Sequence, residues 1–234
     1  MQRILLGLTA AFVLVLLCLV TALYFVPFHG SLLDGYGYGS ATSCDLAAAS
    51  PQDRARPAGI AGTDAIDPAA AAPACEAALA AAPQDPHLMF QTARVAEARG
   101  DPGKARAFYE QAAGLGYAAA QARLGEFYES GLGGLSGNDE EAARLYKLAA
   151  DQGDTTAEAR LGHFYETGRG GLPRNDEEAA RLYLFAAVAG NPDAQASLGN
   201  FYGEGRGGLV RSDAEAARLF RLSADQGNPV AQSR

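Results

Sequence analysis

The chain has 234 residues, and 19 lysines and arginines against 27 aspartates and glutamates give a net charge of −8. That balance argues against a nucleic-acid binder, which carries a basic face. A hydrophobic share of 48% is enough for a sizeable core, and abundant alanine without tryptophan favours closely packed helices over a sandwich or barrel.

The first predicted element is a membrane span. Positions 4–26 contain no charged residue, a run of 23 residues. At about 1.5 Å per residue it crosses a hydrocarbon core of about 30 Å. A cleaved leader has an apolar stretch of about 7–15 residues followed by a small-x-small site, and "YFVPFHG" offers no such site. The expectation is therefore a retained transmembrane helix over 4–26 behind a cytoplasmic tail over 1–3. Arg3 precedes the span and the next basic side chains are Arg54 and Arg56, which places the bulk of the chain outside.

Cys18 lies within the span as a small apolar side chain. Cys44 and Cys75 fall in the exported part, where an oxidising compartment favours a disulfide between them. Such a bond closes a loop of about 30 residues, worth about 3–4 kcal/mol in the chain-entropy model. Two unpaired thiols are the alternative. No Cys-x-x-Cys occurs, so neither a redox motif nor a zinc knuckle is on offer.

Glycine, serine and tyrosine after the span read as an extracytoplasmic tether over 27–66. Asp67–Pro68 looks like an N-cap with proline at the first helical position, opening a helix towards Ala82 that Pro73 should kink or restart. Asp85–Pro86 and Asp101–Pro102 are two more starts, with Gly100 between them. Together these make a cap helix and a first helix–turn–helix unit over 67–116.

From 117 to 234 the chain repeats itself. "LGEFYESGLGGLSGNDEEAARLYKLAADQG" returns as "LGHFYETGRGGLPRNDEEAARLYLFAAVAG" and as "LGNFYGEGRGGLVRSDAEAARLFRLSADQG". Gly125, Gly162 and Gly199 are 37 residues apart, as are Tyr146, Tyr183 and Phe220. A fixed period of this size marks a solenoid. Each unit divides into two helices, in the first copy Ala118 to Ser130 and Asp139 to about Asp151. Asn138 with Glu141, Asn175 with Glu178 and Ser212 with Glu215 have capping-box spacing. Gly131, Gly168 and Gly205 are placed to end the first helix in a left-handed conformation. The glycine of each "LG" lies inside a helix, where it costs about 1 kcal/mol against alanine. A close approach by a neighbouring helix would explain it.

These phrases resemble Sel1-like repeats, relatives of tetratricopeptide repeats. In the first copy Ala120, Leu124, Gly125, Tyr128, Gly131, Gly133, Ala142, Tyr146, Ala149 and Ala150 carry the likeness. Asparagine or serine replaces a capping aspartate, and Leu145, Leu182 and Leu219 stand where tryptophan is common. Leu148, Phe185 and Leu222 occupy a position often basic in the family. Cys44 to Ala82 looks like a cysteine-bearing cap that precedes such repeats in some exported bacterial proteins. The resemblance implies an all-α fold, a right-handed α/α solenoid of helix-turn-helix repeats, and the apolar run puts it behind one N-terminal transmembrane helix, expected in a bacterial inner membrane with its bulk in the periplasm. The resemblance also implies that first-helix residues line a concave docking side. Those are Gln121, Arg123 and Glu126, then Glu158, Arg160 and His163, then Gln195, Ser197 and Asn200.

Nothing in the sequence forms a catalytic set, and no cofactor or metal is expected. His29, His87 and His163 lie in different elements without ligand spacing. "GRGGL" lacks the preceding strand and following lysine of a phosphate loop. "NDEE" is what a helix N-terminus favours. The expected role is a non-catalytic scaffold for protein partners at the membrane. The last repeat is incomplete at Arg234. The alternative is an accessory subunit or the N-terminal part of an enzyme whose catalytic domain lies beyond that residue.

Overall fold

The computed structural model describes residues 42–50, 62 and 65–233. The expected span over 4–26, the tail over 1–3 and most of the tether lie outside the described residues. Among the described residues no helix is long and apolar enough to cross a membrane.

Every described element is helical. A short helix, α1 (Ser43–Ala48), is followed by α2 (Pro68–Ala81), and then by four antiparallel pairs. These are α3 (Pro86–Ala98) with α4 (Pro102–Gly114), α5 (Ala118–Ser130) with α6 (Asp139–Ala150), α7 (Thr155–Thr167) with α8 (Asp176–Val188), and α9 (Pro192–Glu204) with α10 (Asp213–Asp225). A final turn, α11 (Pro229–Gln232), begins a further unit. In each pair the first helix is called A and the second B. Every B helix packs on its own A helix and on the A helix of the next pair, so the core is continuous along the stack.

Local chemistry sets the starts. Asp67, Asp85 and Asp101 each cap a helix whose first residue is proline. The helix α2 runs through Pro73 without a restart. Packing outweighs propensity there, because Ala71, Ala72 and Cys75 are buried against α1 and α3. The region read as a tether is also structured in part. Thr42 and Asp45 form a reciprocal capping box that starts α1, and Cys44 is disulfide-bonded to Cys75 of α2.

The B helices start differently from the expected box. Asn138, Asn175 and Ser212 do accept from the N–H of Glu141, Glu178 and Glu215. The reciprocal arm is diverted, because the carboxylates take Arg144, Arg181 and Arg218 one turn on. The cap N–H groups instead donate to the carbonyls of Tyr128, Tyr165 and Tyr202 in the A helix, so each cap also closes its helix pair.

The glycine of each "LG" is a seat for an aromatic ring. A Cβ on Gly162 would lie 2.8 Å from Cε1 of Tyr183, one on Gly125 2.7 Å from that of Tyr146, and one on Gly199 2.9 Å from that of Phe220. Tyr146 and Tyr183 are fully buried and meet Phe164 and Phe201 of the next A helix edge-on, with centroids 5.5 Å apart in both pairs. One ring thus locks its own repeat and touches the next. Gly162→Ala should therefore destabilise the protein by about 1–3 kcal/mol in urea unfolding. Helix propensity alone predicts a gain of about 1 kcal/mol, so a stabilised variant would refute the seat.

Candidate partner-binding face of the A helices

The A helices lie side by side, and ion pairs run between them. Arg123 of α5 reaches back to Glu97 of α3 at 2.6 Å and also pairs with Glu126 of its own helix. Arg160 of α7 approaches Glu126 at 3.9 Å. Burial opposes the charge on Arg123, and Glu126, Tyr109 and Glu97 outweigh it, so the guanidinium is held more firmly protonated than usual. His163 of the same face is exposed and stands 3.9 Å from Glu166. Arg123, Glu126, Arg160 and His163 are therefore brought together as one charged stripe. In the fourth repeat the stripe becomes neutral, with Ser197 and Asn200 half-buried.

Three of the expected docking residues behave otherwise. Gln121 and Gln195 are buried, and each spans a repeat boundary. Gln121 donates to the Ala113 carbonyl and accepts from Gln152, while Gln195 donates to the Ala187 carbonyl and accepts from Gln226. These side chains are mortar between helices and offer nothing to a partner. Glu158, at the same register, is half-buried and acts on Arg181.

Beneath the stripe lies a row of tyrosine–glutamate pairs that sequence reasoning missed. Tyr109 donates to Glu97, Tyr146 to Glu129 at 2.8 Å and Tyr183 to Glu166 at 2.8 Å. Burial, then the glutamate, pushes the Tyr146 phenol well above its ordinary range. For Tyr183, too, burial comes first and Glu166 second. Phe220 breaks the series, and Gly203 stands where its glutamate would be, so hydroxyl and acceptor are lost together.

Two arginines of the glycine-rich turns staple the repeats. Arg169 pairs with Asp139 at 2.7 Å and Glu129 at 2.9 Å, with its guanidinium 4.7 Å from the Phe164 centroid. Arg206 repeats this with Asp176 and Glu166, both at 3.0 Å, and with Phe201 at 4.3 Å. Gly170, at φ 62°, admits the approach, since a Cβ there would lie 2.5 Å from the Asp139 carbonyl oxygen. In the first copy Leu132 replaces the arginine, and Pro102 replaces the aspartate it would need. That matched change between copies is the signal that could have revealed the staple.

At the N-terminal end α1 supplies a buried polar cluster. The His87 ring lies between the Asp45 carboxylate at Nε2 and the Tyr117 hydroxyl at Nδ1, the latter at 2.7 Å. Burial works to raise the Asp45 carboxyl, and hydrogen bonds from His87 and Thr42 overcome it and hold it below the usual range. His87, at a helix start by sequence, is thus buried and bridges the cap to the first and second repeats. Beside it, Gln91 is fully buried with neither amide atom hydrogen-bonded. It holds the register of Arg123 and Arg160, which reach back to the preceding A helix; α1 ends at Ala48 and offers Gln91 no such carboxylate. Among the described residues no group of three or more histidine, cysteine, aspartate or glutamate side chains is arranged to hold a metal ion.

Stacked helix pairs with interlocking turns define an α/α solenoid repeat protein. The Sel1 repeat model matches residues 95–117, 118–154, 155–191 and 192–228, more than half of the sequence, and the chain belongs to the Sel1 repeat family. Comparison with curated proteins gave no match. A Sel1 repeat protein from Oxalobacter formigenes superposes with a TM-score of 0.61 at 28% identity, over 69% of this chain and 65% of that one. A protective antigen of uropathogenic Escherichia coli strains, displaying an SLR fold, gives 0.58 at 28% identity over 70% of this chain. The chain spans 65% and 35% of the lengths of these two proteins.

The staple has a pH signature. Glu166 is held down to about 2, by His163 first and against burial, then by Tyr183 and Arg206. The His163 contact is long at 3.9 Å, and the 2.8 Å and 3.0 Å contacts of Tyr183 and Arg206 are the closer ones. A depressed carboxylate stabilises the fold fully above its ordinary value near 4.5 and loses that contribution as pH falls towards 2. Arg206→Ala should cost about 1–2 kcal/mol at neutral pH. Across that acid window the difference from the parent should shrink in urea titrations, and a pH-independent difference would contradict the assignment.

Proposed function

We propose that the chain is a non-catalytic protein–protein interaction scaffold that binds partners on its A-helix face. The observation that carries this reading is the stripe of Arg123, Glu126, Arg160 and His163, which passes across successive A helices instead of converging on one point. Convergent groups suit chemistry on a small substrate, whereas a distributed row of polar side chains suits an extended protein surface. Membership of the Sel1 repeat family, whose repeats mediate protein–protein contacts, supports the same reading. The face is the inner wall of a right-handed superhelix, and specificity resides in charges that differ from repeat to repeat. A partner must exchange its own charges for the existing ion pairs, which favours selectivity over raw affinity.

The scaffold is held at a bacterial inner membrane by 4–26, with the repeats in the periplasm. The uncharged run of 23 residues supports the anchor, and the Cys44–Cys75 disulfide fits an oxidising compartment.

Photo-crosslinking in the native cell tests the face, with the probe replacing Glu126, His163 or Asn200 in turn. The expected result is one dominant protein adduct common to the three positions, in the membrane fraction. A folded, membrane-bound protein that gives no adduct at any of them would rule out this face as the working surface.

A further inference from the structure

The B helices carry an outward face that the A-helix stripe does not use. At one register position stand Leu148, Phe185 and Leu222, exposed by 40%, 53% and 40%. On either side of it, the second and fourth repeats bear a cation followed four residues later by an anion: Lys147 with Asp151, and Arg221 with Asp225. In the third repeat those two positions are Leu184 and Val188, exposed by 44% and 81%. The outcome is an apolar knob on α8 between two charged flanks. The other outward arginines, Arg144, Arg181 and Arg218, are occupied by glutamates of their own helices. Asp151, Arg221 and Asp225 make no ion pair among the described residues, and the charge of Lys147 acts on Glu178 of α8 without a direct contact.

The order of these groups identifies the occupant. A cation with an anion one turn later is its own complement when the helix direction is reversed. We propose that the chain forms a two-fold homodimer through the outward faces of α6, α8 and α10. The axis crosses the B helices, so that each lies antiparallel to its counterpart. Lys147 then meets the partner's Asp151, Arg221 meets the partner's Asp225, and Leu184 meets the partner's Val188 with Phe185 beside the axis. Every contact occurs twice, as a two-fold interface requires. A dry apolar centre inside a charged rim is the usual anatomy of a stable interface. The other two-fold, with its axis along the helices, would set Lys147 against the partner's Arg221 and is disfavoured by repulsion. This dimer leaves both A-helix faces open and stands independently of the role assigned to them.

Sedimentation equilibrium of the full chain in mild detergent tests the proposal. The expected result is a reversible monomer–dimer equilibrium in which Lys147→Asp raises Kd about tenfold or more. The double variant K147D/D151K should restore the parental Kd, because it reverses both partners of one symmetric contact. All three proteins should show the same helical circular dichroism, since the substituted side chains are solvent-exposed. A monomer at every concentration up to about 100 µM would overturn the proposal, because the interface would then be weaker than about −5.5 kcal/mol. So would a dimer indifferent to Lys147→Asp, or one that the charge swap fails to restore.

Discussion

The structure depends on a buried aromatic ring seated on a glycine. The ring of Tyr183 lies where a side chain on Gly162 would be, donates its hydroxyl to Glu166, and makes a T-shaped contact with Phe201 in the next repeat. Each of these contacts constrains a different neighbour. The glycine fixes the spacing within a pair, the glutamate fixes the tilt of the ring, and the phenylalanine fixes the following pair. Helix propensity is given up at the glycine, and the return is spread over two repeats. This is how a stack of helix pairs, none of which could bury its apolar face alone, becomes one folded body.

Electrostatics follow from the same geometry. Glu129 and Glu166 take a tyrosine hydroxyl from below and a turn arginine from the following repeat, so each carboxylate ties three elements. Because these charges are satisfied internally, the A-helix stripe is patterned without being strongly signed. The net charge of −8 is carried elsewhere, much of it at the first turns of the B helices, where the helix dipole favours it. Recognition on such a face depends on which pairs a partner can exchange. The outward face of the B helices differs in kind, since its apolar positions are exposed and its flanking charges form no close ion pair among the described residues.

Much of this was legible because the chain repeats. The 37-residue period gave the helix pairs, their boundaries to within a residue, and the left-handed glycines that end the A helices. The disulfide between Cys44 and Cys75 was one of two open readings and is present. What escaped needed distance information. The register of Gln121 and Gln195 changes to Glu158 in the copy between them, as a docking position would, yet the two glutamines lie at boundaries where an amide can bridge two helices. Asn138 and Glu141 have the spacing of a capping box, but a carbonyl from the other helix competes for the cap N–H and an arginine competes for the carboxylate. The contact of His87 with Asp45 crosses 42 residues and a stretch of irregular sequence, so no local pattern could announce it. The arginine staple and the tyrosine–glutamate pairs were in principle readable, since Leu132 with Pro102 and Phe220 with Gly203 change together.

A buried aromatic pair couples each repeat to the next. A double-mutant cycle on Tyr183→Leu and Phe201→Leu, followed by urea unfolding, tests it most directly. The two substitutions should be non-additive, with a coupling of about 0.5–1.5 kcal/mol. Additivity to within about 0.3 kcal/mol would show that the rings are merely neighbours, and that the repeats are joined by something else.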